Sequence, residues 1–294
     1  MEQSINRDLH DLLDLMDQSN FSSIKNIVSR VIEVINDPKS TIRDLKQIIE
    51  VDPPLSAKIL KMANSAYYCR GRVHTSIESS IIWIGFDIVK EIALSQKVCE
   101  IFNKKELIEG YSRKKLWKHS VAAATLMKKV FRKEFGESGE TAYVCGLLHD
   151  IGIIAEDQFV QEAFRKILKK TLTGKHGMVD IEEKVLGFNH AELGYQIAHK
   201  WGLPNEISES IRHHHGPFDE FQLNGDDKER MTMTLYLSDY LCHQHQYGYG
   251  VNHPLEKKKY DSCLRTLKIK PHSIEMIMEE LSEELKKMEE TGIL

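Results

Sequence analysis

Apolar residues recur along this chain at intervals of three and four, nearly from one end to the other. That period places them on one stripe of an α-helix, whereas a half-buried strand would need strict alternation. Ile24, Ile27, Val28, Val31 and Ile35 form such a stripe, and Asp37-Pro38 stops it. The same pattern predicts helices from about Ile42 to Glu50, from Pro53 with Leu55, Ile59 and Met62 inward, and from the Ile77 region to Gly85. Others are predicted from there to about Phe102, from Lys115 to Phe135, and over the stretch that ends at His149-Asp150. Beyond it, the pattern predicts helices at about 156–171, 178–186, 190–201, 204–214, 228–246 and 272–290. Asp52 stands where an N-cap belongs, with Pro53 in the first turn, where a missing N–H does no harm. Thr75-Ser76-Ile77-Glu78 reads as a capping box. Gly136 to Gly139, Gly216 to Asp227 and Gly248-Tyr249-Gly250 read as turns or loops. No alternating strand, low-complexity tract or internal repeat interrupts this reading, so the fold class expected is all-α.

The composition narrows the class further. With 294 residues, 41% of them hydrophobic and 29% charged, the chain has material for a substantial core. The charged run Asn103-Lys104-Lys105-Glu106 breaks the apolar pattern. It divides the expected organisation into an N-terminal helical subdomain (1–105), a second helical subdomain (106–260) and a C-terminal helical extension (261–294). A net charge of −4 with both signs interspersed argues against nucleic acid or an anionic membrane as partner. There is no long apolar run that would span a bilayer, and the polar start of the chain does not resemble a signal peptide. The five cysteines are scattered without a Cys-x-x-Cys pair, which fits a reducing cytoplasm and gives no thiolate metal site and no haem-attachment motif.

The residues that carry chemistry are histidines and aspartates. His149-Asp150 ends an apolar helix and is followed by Ile151-Gly152. A neutral nitrogen donor and an anionic oxygen donor on adjacent residues at a helix end form the kind of corner a divalent transition metal uses. Asp239 lies among Tyr236, Leu237, Tyr240 and Leu241, so it faces the interior, where a carboxylate needs a counter-charge. A buried lysine or arginine and a metal ion are both open as that partner. His119 sits mid-helix beside Ala122-Ala123-Ala124, a run suited to close helix packing; read singly, it is a core histidine as readily as a ligand. His190 opens a helix. His213, His214 and His215 close another, where imidazolium also suits the helix dipole, His213 most of all. The other histidines, His243 included, show no supporting pattern.

In chain order these residues are His119, His149-Asp150, His190, His214-His215 and Asp239. The order resembles that of the HD superfamily of metal-dependent phosphohydrolases. The first half is similar to something narrower. Val51-Asp52-Pro53-Pro54-Leu55-Ser56-Ala57-Lys58-Ile59-Leu60-Lys61-Met62-Ala63-Asn64-Ser65-Ala66-Tyr67-Tyr68, followed by Ser76-Ile77-Glu78 and Ile84-Gly85, resembles the HDOD (HD-related output domain) family of bacterial signalling proteins. The resemblance spans roughly residues 20 to 245. It implies an N-terminal helical bundle packed on an HD-type helical core.

The resemblance also implies a metal site. His119, His149, Asp150 and Asp239 would hold a first divalent ion of the Fe, Mn, Ni, Co or Zn group. His190, His214 and His215 would hold a second, with Asp150 between the two. His149 and Asp150 are then the residues on which catalysis would depend, and Lys118, Lys200 and Arg212 are the candidate cations for a substrate phosphate. HDOD domains are described as HD relatives that have lost metal residues and act as signalling modules, yet here every ligand position is filled. Active HD-GYP phosphodiesterases carry a lysine where Ile153 stands and a Gly-Tyr-Pro segment that His214-His215-Gly216-Pro217-Phe218 lacks. Two functions therefore compete. One is a regulatory output module that binds metal, has little or no catalysis, and acts through a signalling partner or a phosphate-containing ligand. The other is an active metal-dependent phosphohydrolase.

Overall fold

A computed structural model of the chain describes residues 9–17, 21–65, 68, 73–102, 111–173, 176–216, 218, 227–248 and 255–290. Among these residues every regular element is a helix. The first six are α1 (Leu9–Asp17), α2 (Phe21–Asn36), α3 (Ile42–Glu50), α4 (Pro53–Ala63), α5 (Ile77–Ile84) and α6 (Phe86–Phe102). They are followed by α7 (Arg113–Val130), which runs on into a π-helical turn (Phe131–Phe135), and then by α8 (Glu140–Leu148), α9 (Ile151–Phe159), α10 (Gln161–Thr173) and α11 (Met178–Leu186). The last are α12 (His190–Lys200), α13 (Asn205–His213), α14 (Asp227–Gln244), α15 (Lys257–Thr266) and α16 (Pro271–Glu290).

Two polar residues of the hallmark segment, Asp52 and Asn64, each bind two partners. Asp52 caps α4 by accepting from the Leu55 N–H at 2.9 Å, and its other oxygen pairs with the buried Lys97 of α6. Lys97 also donates to Glu100 at 2.6 Å. Asn64, just past α4, reaches the chain ten residues on: its amide donates to the His74 carbonyl at 2.8 Å and its oxygen accepts from the His74 N–H at 2.8 Å. The Asp-Pro and Ala-Asn-Ser parts of the segment are thus the two clamps that hold α4 against α6 and against the entry to α5.

Helices α2 to α6 pack on one another, with α2 against α6 and α3 against α5. In the second half α8 lies on α7, α12 on α9 and α13, and α14 across α7 and α13. The two halves share one hydrophobic core running from Leu12 to Leu285, and Ser29 of α2 donates to the Trp201 carbonyl at 2.9 Å. Helix α16 packs along α7, burying Ile274, Ile277, Leu281 and Leu285.

Several sequence expectations need correction. The cap of α5 is Ser76, accepting from the Ser79 N–H at 3.1 Å, so the box predicted on Thr75 is shifted by one residue, and Glu78 instead binds Lys46. The helix predicted over 156–171 is two helices, and the first begins directly after Asp150, because Val160 leaves the helical conformation. Helices α1 and α15 were not predicted; the lysine-rich start of α15 hides its short apolar face. The boundary expected near Asn103–Glu106, most of Gly216–Asp227, and Tyr249-Gly250 lie outside the described residues.

Candidate metal centre

Two glycines bring the helices of the second half into register. A Cβ on Gly146 of α8 would lie 2.7 Å from the Ala124 Cα, so only glycine lets α8 sit against the alanine run of α7 and set His149 beside His119. A Cβ on Gly152 would lie 2.0 Å from the His190 carbonyl oxygen, so α9 touches the start of α12 directly and Asp150 meets His190. The Gly-x-x-His-Asp-x-Gly pattern is therefore a packing device as well as a donor pair.

The side chains of these residues lie close to one another. His119 Nε2 lies 2.9 Å from Asp239 Oδ1 and 3.7 Å from Asp150 Oδ2. His149 Nε2 lies 3.3 Å from Asp150 Oδ2 and 3.7 Å from Asp239 Oδ1. On the other side of Asp150, its Oδ1 lies 3.7 Å from His190 Nε2 and 3.8 Å from His214 Nε2, and the Nε2 atoms of His190 and His215 are 2.8 Å apart. The donor atoms of His119, His149 and Asp150 fall within 4.8 Å of one another, as do those of His190, His214 and His215. His213 points elsewhere, toward Glu209 at 3.5 Å. Sequence reasoning missed two participants. His243, one turn after Asp239 on α14, places its Nε2 3.3 Å from Asp239 Oδ1; the i, i+4 spacing was the available signal. Glu182 of α11 holds His190 from behind, and its sequence surroundings mark nothing.

The outer nitrogens fix how the rings face. His149 Nδ1 donates to the Gly146 carbonyl at 2.8 Å, and His214 Nδ1 to the Ile211 carbonyl at 2.6 Å. A carbonyl can only accept, so Nδ1 carries the hydrogen and Nε2 is turned to the centre. Glu182 Oε2 does the same for His190, accepting from its Nδ1 at 2.7 Å and from its backbone N–H at 2.9 Å. His149 Nε2 and His214 Nε2 are fully buried and make no hydrogen bond, and neither ring nitrogen of His119 makes one. Buried polar atoms are normally satisfied, and these converge on a common space, which is the arrangement a cation completes. Asp150 is the N-cap of α9 by position but makes no side-chain cap bond, so its carboxylate is not spent on the helix.

The electrostatics agree. Burial opposes charge on both aspartates, yet His149 beside Asp150, and His243 with His119 beside Asp239, hold both carboxyls well below the usual range. The imidazoles of His119, His149 and His243 are the groups that stand beside Asp239. Burial likewise opposes charge on His149, but Asp150 and Asp239 raise it well above an ordinary histidine, and Glu182 raises His190. Burial next to His149 and His190 pushes His214 down to about 3. The buried His/Asp clusters could hold a metal ion, and His119, His149, Asp150, Asp239 and His243 at one end and His190, His214 and His215 at the other are the donors available. When bound, such an ion supplies Lewis-acid polarisation of a phosphoryl oxygen and acidifies water.

Two of the three candidate phosphate-binding cations pair with carboxylates, and the third stands at the far end of its helix. Lys118 pairs with Glu289 of α16. Arg212 pairs with Glu192 at 2.7 Å and lies over the Tyr195 ring at 4.7 Å. Lys200 ends α12, about 15 Å along the helix from His190.

Comparison with known proteins places this architecture. An HDOD domain protein of unknown function from Geobacter sulfurreducens superposes with a TM-score of 0.73 at 23% identity, over 96% of this chain and 98% of that one. A candidate signal transduction protein from Marinobacter aquaeolei also gives 0.73, at 20% identity over 99% of this chain and 67% of that one. A candidate phosphohydrolase from Shewanella amazonensis gives 0.64, at 18% identity over 96% and 95%. Among curated sequences, an uncharacterized protein from Treponema pallidum is 23% identical over 197 residues, 65% of this chain, which spans only 37% of that protein. The HDOD domain family matches residues 21–217, about two thirds of the sequence. The chain belongs to the HDOD family.

Proposed function

We propose that this protein is a cytoplasmic regulatory module of bacterial signal transduction whose HD-type core binds one or two divalent transition metal ions and performs little or no catalysis. The observation that carries this reading is how closed the ligand set is. His119, His149 and His214 have no exposed surface and Asp150 retains 5%, while His243 and His215 at the two ends of the set are partly buried. A hydrolase must admit a phosphate ester and water to its ion and neutralise the phosphate, and here two of the three expected cations, Lys118 and Arg212, are paired with Glu289 and Glu192. Ile153, where the active relatives carry lysine, is buried in the core.

On this reading the ions are Fe, Mn, Ni, Co or Zn, since imidazole and carboxylate donors together suit the borderline metals. The division into 1–105, 106–260 and 261–294 is part of this proposal, with the HDOD family match over 21–217 extending across the first two. The broad helical surfaces suit a signalling protein partner, and a phosphate-containing ligand is a secondary candidate. The description of the Marinobacter aquaeolei neighbour as a signal transduction protein supports this reading. No helix among the described residues is long and apolar enough to cross a membrane. The test is an assay of the metal-loaded protein against cyclic dinucleotides, nucleotides and phosphomonoesters. No turnover above a His149→Ala control is expected; turnover that the substitution abolishes would establish the competing reading, a metal-dependent phosphohydrolase, which the complete ligand set favours.

A further inference from the structure

Six imidazoles form a continuous row through the core, and its last member has no place in the sequence pattern. At one end His215, His190 and His214 group together, with the His215 ring centroid 3.8 Å from that of His214 and 4.9 Å from that of His190; His149, His119 and His243 follow from His214 with centroids 5.3, 5.3 and 4.7 Å apart. His243 is held in this row by its own helix. It follows Asp239 by one turn of α14, so the two side chains share a face. Its Nε2 approaches Asp239 Oδ1 at 3.3 Å, and the donor atoms of His119, Asp239 and His243 all lie within 4.8 Å of one another. His119 belongs both to this triad and to the triad with His149 and Asp150. The chain just beyond α14 packs on the α7 backbone here: a Cβ on Gly248 would lie 2.3 Å from the Lys115 carbonyl oxygen and 2.5 Å from the His119 backbone nitrogen.

We infer that His243 is a protein ligand of the ion at the His119–Asp239 end, filling a coordination position that a catalytic site would leave to water or substrate. Structural metal sites are closed by protein donors, and catalytic ones keep a position open. Five donor side chains, two of them carboxylates, leave this ion little room for a substrate. The inference rests on the metal-binding reading above and explains why that ion would be retained without being used for hydrolysis. The competing role is that His243 only orients Asp239, as Glu182 orients His190. Orienting partners here contact the outer nitrogen of a ligand. His243 instead turns its Nε2 inward, as His119, His149 and His214 do.

The two roles separate in Mn(II) titrations of the full chain followed by water-proton relaxation, with wild type, His243→Ala and His243→Gln. A ligand, once removed, leaves a position for an exchangeable water. Relaxivity per bound Mn should rise in both variants, affinity should fall by at least about 10-fold, the scale on which even outer-shell partners act, and added imidazole should reverse both changes in His243→Ala. If His243→Ala does not fold, as judged by circular dichroism, His243→Gln alone decides, because its amide keeps a hydrogen bond to Asp239 and ligates poorly. Wild-type relaxivity and affinity in the folded variants would overturn the role of His243 while leaving the metal site intact. Failure of the wild type itself to bind Mn(II) would overturn the metal-binding reading and this inference together.

Discussion

The two halves of this protein both bury charge, and they do so in opposite ways. In the first half, Asp52 is divided between the Leu55 N–H and Lys97, and Asn64 spends both ends of its amide on the His74 backbone. In the second half, His149, His214 and His119 keep buried ring nitrogens that make no hydrogen bond; the Nε2 atoms of all three face Asp150, and those of His119 and His149 also face Asp239. Buried polar groups are tolerated when satisfied, and an unsatisfied set that converges is a reason to look for a ligand. The first arrangement is a clamp and the second a site. The difference predicts that substitutions in the first half act on folding and that those in the second act on metal.

The largest effect should come from breaking the clamp. Asp52→Ala removes a helix cap and leaves Lys97 buried with only Glu100, and removing one partner of a buried pair costs about 3–5 kcal/mol. Chemical denaturation should show this loss equally with and without metal; a loss that appears only in the metal-loaded protein would erase the distinction between the halves.

Next in size is Glu182→Gln. It keeps the volume of the side chain but weakens the acceptor behind His190, and outer-shell changes of this kind cost about 10- to 100-fold in metal affinity. Calorimetric titration should register that loss at the His190–His214–His215 end alone. An equal loss at both ends would mean that Glu182 supports the fold and not a ligand.

A smaller, pH-dependent effect is expected at Glu156. Burial and the neighbouring Glu182 raise this carboxyl well above its ordinary value. A carboxyl whose pKa is raised on folding contributes stability that is whole below the unfolded value near 4.5 and is lost as pH rises toward the folded value. The slope is at most about 1.4 kcal/mol per pH unit. Glu156→Gln cannot ionise, so its melting temperature should gain on the wild type steadily as pH is raised from 4.5 to 8. A constant difference across that range would show Glu156 to be charged in the folded protein.

The sequence and the structure agree most where local chemistry decides. Helix α3 and the Asp52–Pro53 start of α4 follow from a periodic stripe and a cap, and both stand where the pattern puts them. All seven candidate ligands converge, because the His-Asp pair, the mid-helix Asp239 and the helix-end histidines each break the pattern around them. What escaped is what depends on neighbours distant in sequence. Glu182 and Glu156 look like ordinary helical glutamates until α9, α11 and α12 meet. His243 was hidden among other histidines of the same helix end, although its spacing from Asp239 was visible. The direction of Lys118 and Arg212 is set by α16 and by Glu192, which no local motif reports.

The most direct test of the account is element-specific analysis of the full chain purified without chelators, wild type beside His149→Ala, with circular dichroism of both. The account predicts a transition metal in the wild type, its loss in the variant, and the same helical signal in each. A wild type that holds no metal and gains no thermal stability from added Mn or Fe, or a His149→Ala protein that fails to fold, would contradict it.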